Sequence, residues 1–361
     1  MIAIDIRPVW RFRSGDNERA FDFQLIAILG ELDAVGKLTQ AAEKAGISYR
    51  HAWNLIAEWE VFFGAPLVVK ERGRGSTLTE LGERLLWAGR RATARLAPEL
   101  DNLAAEFARS LNESLHDRAA ALVMQASHDF AVSALRDLAA SEGLDVELQY
   151  RGSFDALAAL RRGECDVAGF HVAQGSLAPV MTRRYAECLP LGDFRLISFV
   201  ERSQGFMVLP GNPKRIDSIG DLCRADVRMV NRQRGSGTRA LLEFLISAGG
   251  LDRSRMQGYD TEEMTHSAVA ALIAGHQADL GIGVQAAAAQ YRLGFVPLVT
   301  ERYYLACRRD LLDAPALRKL LEVLRSPGFA SVVAALPGYT TQDAGTVLPA
   351  FEPSPTRRAK G

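Results

Sequence analysis

The stretch NRQRGSGTR, residues 231–239, has the side chains and glycines of an anion-binding loop. It follows an apolar strand pattern and leads into an apolar helical pattern, so it ends at the start of a predicted helix. The first turn of a helix presents unpaired N–H groups and about half a positive charge, which attract anions. The GxxxxGK[ST] spacing of nucleoside triphosphate sites is absent. The predicted binding residues are Arg234, Gly235, Ser236, Gly237, Thr238 and Arg239.

Hydroxyl and imidazole side chains recur at other predicted helix starts in the second half of the chain. For each loop alone, a simple helix N-cap explains the residue equally well. Several such loops around one cleft favour a small anion over a metal or covalent chemistry. The further predicted effector residues are Ser127, His128, Ser153, His171, Thr265 and His266.

The same residues offer little for catalysis. Ser127, His128 and Asp129 are consecutive, so their side chains diverge and cannot form a catalytic triad. The histidines lack an HxxxH spacing, and the four cysteines contain no CxxC pair. We therefore expect no enzymatic activity, no metal and no cofactor.

The elements that must carry these loops alternate between strand and helix from about residue 120. AALVMQA, LDVELQY and CDVAGFHV are strand patterns separated by helical patterns, and VRMV opens a second series. RLISFVERSQGFMVLPGN reads as two longer strands, and RYYLACRRD as a late strand that returns between the lobes. The pattern predicts a two-lobed α/β effector-binding domain over residues 116–345, with its cleft between the lobes.

The first part of the chain has the order of a winged helix-turn-helix. Phe21, Leu25, Ile28, Leu29 and Leu32 form one helical stripe. A short helix follows, with Thr39 as its predicted N-cap, and a third helix is capped by Ser48. APLVVKERGRGSTLT then predicts a basic wing. We assign residues 1–87 to this domain, including an N-terminal strand that pairs with the wing or with a partner chain.

The predicted DNA contacts divide between base reading by the third helix and phosphate binding by the wing. They are Thr39, Ser48, Tyr49, Arg50, His51, Trp53, Asn54, Lys70, Arg72 and Arg74.

Two further segments complete the domain organisation. Residues 88–115 form a linker helix interrupted by Pro98, and the proline-rich residues 346–361 are expected to be a disordered tail. The formal net charge is zero, so charged partners must be met by local patches. The sequence lacks a signal-peptide pattern and a long apolar run, so we expect a cytoplasmic protein without membrane contact.

Two segments carry a family resemblance. KLTQAAEKAGISYRHAWNLIAEWEVFFGAPL, followed by LTELG, resembles the head of LysR-type regulators and, more closely, the molybdate-responsive ModE-type head, in which AGISYxxAW opens the recognition helix. Over about residues 120–310, the motifs GSxxALxAL, GxxDVAGFH, NRQRGSGTR and THxAVAA resemble periplasmic-binding-protein-like effector domains of the type II fold, which occur fused to molybdate-type heads.

This resemblance implies a one-component regulator of formate dehydrogenase or molybdenum-related genes. It implies formate, molybdate or tungstate as the effector, a double-stranded DNA operator as a partner, and a homodimer or homotetramer joined through the linker helix. The alternative is an oxyanion-binding protein, or an enzyme of molybdenum cofactor metabolism, with a vestigial DNA-binding head.

Overall fold

The computed structural model describes residue 2 and residues 4–71, 75–114, 121–189 and 192–351. The N-terminal head contains a hairpin, three helices and a two-stranded wing, which confirms the predicted winged helix-turn-helix. Its elements are β1 (Arg11–Ser14), β2 (Asn17–Ala20), α1 (Gln24–Val35), α2 (Leu38–Lys44), α3 (Tyr49–Phe63), β3 (Val68–Glu71) and β4 (Gly75–Leu78).

The apolar stripe of α1 packs against the buried side of α3, with Trp59 fully buried at the centre. The N-terminal segment predicted to pair with the wing or with a partner chain contributes β1, which pairs with β2 of the same head. The pairing places Phe12 over this core, with its ring centroid 5.3 Å from that of Trp59. The hairpin therefore closes the head core.

The structure confirms one of the two predicted helix N-caps and contradicts the other. Ser48 caps α3, since its Oγ accepts the backbone N–H of His51 at 3.2 Å. The prediction for Thr39 was wrong, because α2 begins at Leu38 and Lys37 occupies the cap position without a side-chain hydrogen bond. The early start places Leu38 in the head core, where it is buried.

A single helix, α4 (Glu80–Ser114), connects the head to the rest of the chain. Residues 88–114 of the predicted linker, 88–115, are thus the later part of a longer helix that runs through Pro98 without ending, and residue 115 lies outside the described residues. One side of α4 packs on the two-lobed domain of its own chain. Trp87 and Tyr291, for example, have ring centroids 6.1 Å apart.

The remaining elements form two lobes. The first lobe contains β5 (Leu122–Ala126), α5 (Phe130–Ser141), β6 (Val146–Tyr150), α6 (Ser153–Arg162), β7 (Val167–Ala173) and α7 (Ala178–Cys188). After β8 (Phe194–Val208), the second lobe contains β9 (Met229–Arg232), α8 (Gly237–Ala248), β10 (Glu262–Glu263), α9 (His266–Ala274), β11 (Leu280–Val284) and α10 (Gln285–Gln290). The chain ends with β12 (Gly294–Arg308), α11 (Pro315–Arg325), α12 (Pro327–Ala334), β13 (Tyr339–Thr340) and β14 (Val347–Pro349).

The sheet order β10-β9-β11-β8-β12-β7-β5-β6 explains the bilobed shape. β8 and β12 are antiparallel neighbours of 15 residues each, and they cross from one lobe to the other. The segment predicted as two longer strands is therefore one strand as far as Val208. Parallel strands lie on either side of this pair, so each lobe presents the carboxyl ends of its strands to the space between the lobes.

The prediction of a disordered tail from residue 346 was wrong for its first residues. β14 pairs with β8, and Phe351 packs with Phe170 and Tyr304 of the first lobe. These apolar side chains outweigh the proline-rich composition, and residues 352–361 lie outside the described part of the chain. Among the described residues, no helix is both long and apolar enough to cross a bilayer.

Candidate functional site

A cleft of about 300 Å³ lies between the two lobes and contains most of the predicted effector residues. It is formed where the N-terminal ends of α6 and α8 face each other, close to the carboxyl ends of β5, β7 and β9. The predicted residues that line it are Ser127, His128, Ser153, His171, Arg234, Gly235, Ser236, Gly237, Thr238 and His266.

The principal cation of the cleft is Arg232, which our sequence analysis did not include. Its side chain donates to Gln233 Oε1 at 3.1 Å and to the Met264 carbonyl at 2.9 Å, and it is buried. No carboxylate of the described residues forms an ion pair with it. Burial, followed by the nearby Arg202 charge, lowers the pKa of Arg232 to about 9, so it is still charged at neutral pH. A buried cation without a counterion is a site for an anion.

Three imidazoles surround this charge. Burial is the main cause that lowers the pKa of His171 and His266 well below the usual range, and the charges of Arg232 and Arg202 add to it. Burial and Arg232 lower the pKa of His128 to about 4. The three rings are therefore neutral at pH 7, and each can donate one hydrogen bond and accept another. The buried Nδ1 of His266 has no partner among the described residues.

The start of α8 approaches the first lobe closely. A Cβ atom on Gly237 would lie 2.5 Å from His171 Nε2, so only glycine fits here without displacing the imidazole. Thr238 Oγ1 accepts a hydrogen bond from Gln204 Nε2 at 3.0 Å, which leaves its own proton free to donate. Ser236 Oγ is occupied as the N-cap, since it accepts from the Arg239 amide and donates to the Gln233 carbonyl.

Two predicted effector residues do not line the cleft. The guanidinium of Arg239 is held by Glu243 at 2.7 Å and Glu262 at 3.2 Å. The Thr265 hydroxyl donates to the Ala94 carbonyl and accepts from the Ala268 amide, both at 3.0 Å. Because both groups are satisfied elsewhere, we omit them from the site.

Sequence reasoning also missed a wall of the cleft that comes from the linker. Arg95, Glu99 and Asn102 of α4 line the cleft together with Pro98. In the sequence these polar residues look like the solvent-exposed face of any helix. Only the packing of α4 on its own chain shows that they line the cleft.

The histidine pKa values predict how stability depends on pH. The unfolded chain protonates a histidine near pH 6.5, whereas folded His128 stays neutral down to about pH 4. Between these values the unfolded state binds more protons, so the free energy of unfolding must fall as the pH falls. His128→Gln should reduce this loss by at most about 3 kcal/mol, and by less to the extent that solvent reaches the ring. Urea unfolding at pH 6.5 and at pH 4.5 measures the difference, and an unchanged pH dependence would contradict the assignment.

The head presents a second candidate surface, for DNA. Tyr49, Arg50, His51, Trp53 and Asn54 are all exposed near the start of α3. Lys70 Nζ of the wing lies 3.9 Å from the centre of the Trp53 ring, a cation–π contact that joins the wing to α3. Thr39 and Ser48 are exposed nearby, and the wing-tip residues Arg72 and Arg74 lie outside the described residues.

Comparisons with known proteins match the head and the two-lobed domain separately. Residues 135–325 match the PBP superfamily domain, and residues 23–83 match the bacterial regulatory helix-turn-helix protein, lysR family. The chain is 32% identical over 200 residues to the uncharacterized protein YvgK of Bacillus subtilis (strain 168), an alignment that covers 55% of this chain and 64% of that protein. The chain thus spans less than two thirds of the length of YvgK.

One further protein is similar in sequence, and one solved structure was matched by its fold. The chain is 31% identical over 109 residues to an uncharacterized protein in a ferredoxin 2Fe-2S gene 5′ region of Clostridium pasteurianum, with 30% of this chain and 96% of that protein covered. The structure of Vibrio fischeri DarR in complex with DNA has a TM-score of 0.42 and 15% identity, and covers 84% of this chain and 98% of that chain. The chain belongs to the PBP superfamily, and a helix-turn-helix that matches the bacterial regulatory lysR family precedes that domain.

Proposed function

We propose that this protein is a one-component transcriptional regulator that binds operator DNA through its head and a small anion in its cleft. The observation that carries the effector proposal is Arg232, a buried cation that faces the cleft without a carboxylate partner in the described part of the chain. Neutral histidines and the start of α8 add hydrogen-bond donors around it.

The anion that we propose is formate, molybdate or tungstate, and the regulated genes are those of formate dehydrogenase or of molybdenum metabolism. The support for this choice is the resemblance of the head and of NRQRGSGTR to molybdate-related regulators. The proposal is tested by thermal unfolding in sodium formate, molybdate, tungstate, sulfate and phosphate. A ligand at 100 times its Kd stabilises the folded state by about 2.7 kcal/mol. Equal melting temperatures in all five salts would contradict an anion effector of this class.

A homodimer or homotetramer is part of the proposal. Leu96, Leu103 and Phe107 are exposed on α4 at spacings of seven and four residues, which places them on one face. The opposite side of α4 packs on its own chain, so this face is free for a second copy. Paired heads would then bind two half-sites of one operator.

DNA binding should separate base reading from phosphate binding. We expect Asn54→Ala to cost about 1–3 kcal/mol on a duplex selected from a random pool and much less on bulk genomic DNA. Lys70→Ala should weaken binding to both DNA samples alike and reduce the salt dependence. Titrations of the full-length protein at two salt concentrations measure both effects. Equal losses on both samples for Asn54→Ala would show that α3 does not read bases at this position.

A further inference from the structure

The proline of α4 creates an unusual contact with the second lobe. In a regular helix the amide of residue 98 would donate to the Ala94 carbonyl, but Pro98 has no N–H. The Thr265 hydroxyl donates to this carbonyl instead, at 3.0 Å. The helix defect is thus satisfied by a side chain of the second lobe, and Thr265 still caps α9 with its own oxygen.

One turn earlier, α4 contacts the second lobe again. Arg91 Nε donates to Glu263 Oε1 at 2.7 Å, and the Glu263 side chain is fully buried in β10. Together, the Arg91–Glu263 ion pair and the Thr265–Ala94 hydrogen bond fix this part of α4 to the second lobe.

Further along, α4 is fixed to the first lobe. Asn102 donates through Nδ2 to the Tyr150 carbonyl at 3.0 Å and accepts the Tyr150 amide at 2.6 Å. Arg95, Pro98 and Glu99 lie between the two attachments and line the cleft. From Ala94 to Asn102 the helix spans about 12 Å, at about 1.5 Å per residue. The helix therefore bridges the cleft and sets the separation of the lobes at this side.

We propose that α4 is a latch on the cleft, and that the lobes can separate here only when the Thr265–Ala94 contact is released. We expect the second-lobe attachment to open first. It holds a neutral hydrogen bond and an ion pair whose arginine is one-third exposed, whereas Asn102 pairs with both the backbone N–H and the backbone carbonyl of Tyr150. The same helix continues from the head, so release of the latch loosens one support of the head; Arg292 provides another through Gly30 and Asp33. That link to DNA binding rests on the proposed function; the latch itself does not.

Three substitutions of Thr265 test the latch without any ligand. Thr265→Ser keeps both hydrogen bonds, Thr265→Val removes both, and Thr265→Asp keeps an oxygen that can cap α9 but has no proton to donate to Ala94. We expect the amides of residues 94–102, apart from Pro98, to exchange with deuterium about three to ten times faster in the Val and Asp variants, and at the wild-type rate in the Ser variant. The first amides of α9 should exchange faster in the Val variant alone.

Access to the cleft is measured in the same proteins by the rate at which phenylglyoxal modifies Arg232. We expect an increase by the same factor in the Val variant, because the reagent reaches this buried guanidinium only when the cleft opens. Wild-type exchange of residues 94–102 in both the Val and Asp variants would overturn the latch, and so would faster exchange with an unchanged rate of Arg232 modification. Failure of the proposed function has another signature: formate, molybdate, tungstate, sulfate and phosphate would all leave Arg232 unprotected in the wild-type protein.

Discussion

Arg232→Met is expected to abolish anion-induced stabilisation and, at the same time, to stabilise the protein in the absence of an anion. The two effects have opposite signs because the buried charge has opposite consequences in the two states. Without a ligand, the guanidinium is desolvated and close to Arg202, and its lowered pKa reports this cost. With an anion bound, the same charge becomes half of a buried ion pair.

The expected magnitudes are large for one substitution. Replacing buried ionic groups with apolar side chains of similar volume often stabilises a protein by about 1–4 kcal/mol, and methionine retains most of the packing of arginine. Loss of the charge partner should weaken anion binding by about 2–5 kcal/mol. Thermal and urea unfolding with and without the stabilising salt measures both effects in one series.

Arg234→Met is the matched control, since Arg234 lies in the same loop with an 81% exposed side chain. Because solvent screens this side chain at the edge of the cleft, the substitution should leave the free energy of unfolding nearly unchanged and weaken the response to anions much less than Arg232→Met does. A variant of Arg232 that retains the full anion response would exclude this residue as the anchor of the site. Equal effects at the two positions would point to the overall charge of the cleft rather than to a specific contact.

The sequence was sufficient to predict where the cleft lies but not which cation anchors a ligand there. NRQRGSGTR has three basic residues. Because the later two lie closer to the predicted helix start, the sequence favours them as the anion-binding residues. In the structure, Arg239 is neutralised by Glu243 and Glu262, and Arg234 lies at the edge of the cleft with an 81% exposed side chain. Arg232 is at the carboxyl end of β9, where α/β folds place their ligands, and this position was the available signal.

The contact of Thr265 with α4 could not be predicted from the sequence, for a different reason. Its position before a helix correctly indicated an N-cap, but its hydrogen-bond donor is used by a carbonyl 171 residues earlier in the chain. Local patterns report caps, strands and apolar stripes because these depend on neighbouring residues. They do not report which distant backbone group lacks a partner, here Ala94 because of Pro98.

A second feature that sequence patterns could not show is the charged network inside the crossing strands. Arg202 of β8 lies directly opposite Glu301 of β12, and its Nε and Nη2 donate to Glu301 Oε2 at 2.9 and 2.8 Å. Arg202 also pairs with Asp129, the N-cap of α5. Gln204 extends the network from Glu301 to Thr238 of α8. The network therefore connects both lobes to the strands between them.

The charges of this network depend on one another. Burial opposes the charge of Arg202, but Glu301 and Asp129 outweigh it and raise the pKa of Arg202 well above its ordinary value. Burial raises the pKa of Glu301, against the effect of Arg202. Since the side chain of Arg202 is only 1% exposed, removal of this cation would leave two carboxyl groups buried without a counterion.

Arg202→Met should therefore destabilise the protein by about 3–5 kcal/mol at pH 7, because it breaks a buried ion network from one side. Part of this loss should be recovered at lower pH, where Glu301 is protonated more readily in the folded state than in the unfolded state. Glu301→Gln is the control: it keeps an oxygen for Arg202, and the other carboxylate oxygen already lacks a partner among the described residues, so it should cost less than about 1.5 kcal/mol. Urea unfolding at pH 7 and at pH 5.5 distinguishes the two variants. A loss below about 1 kcal/mol for Arg202→Met would mean that the network contributes specificity of packing rather than stability.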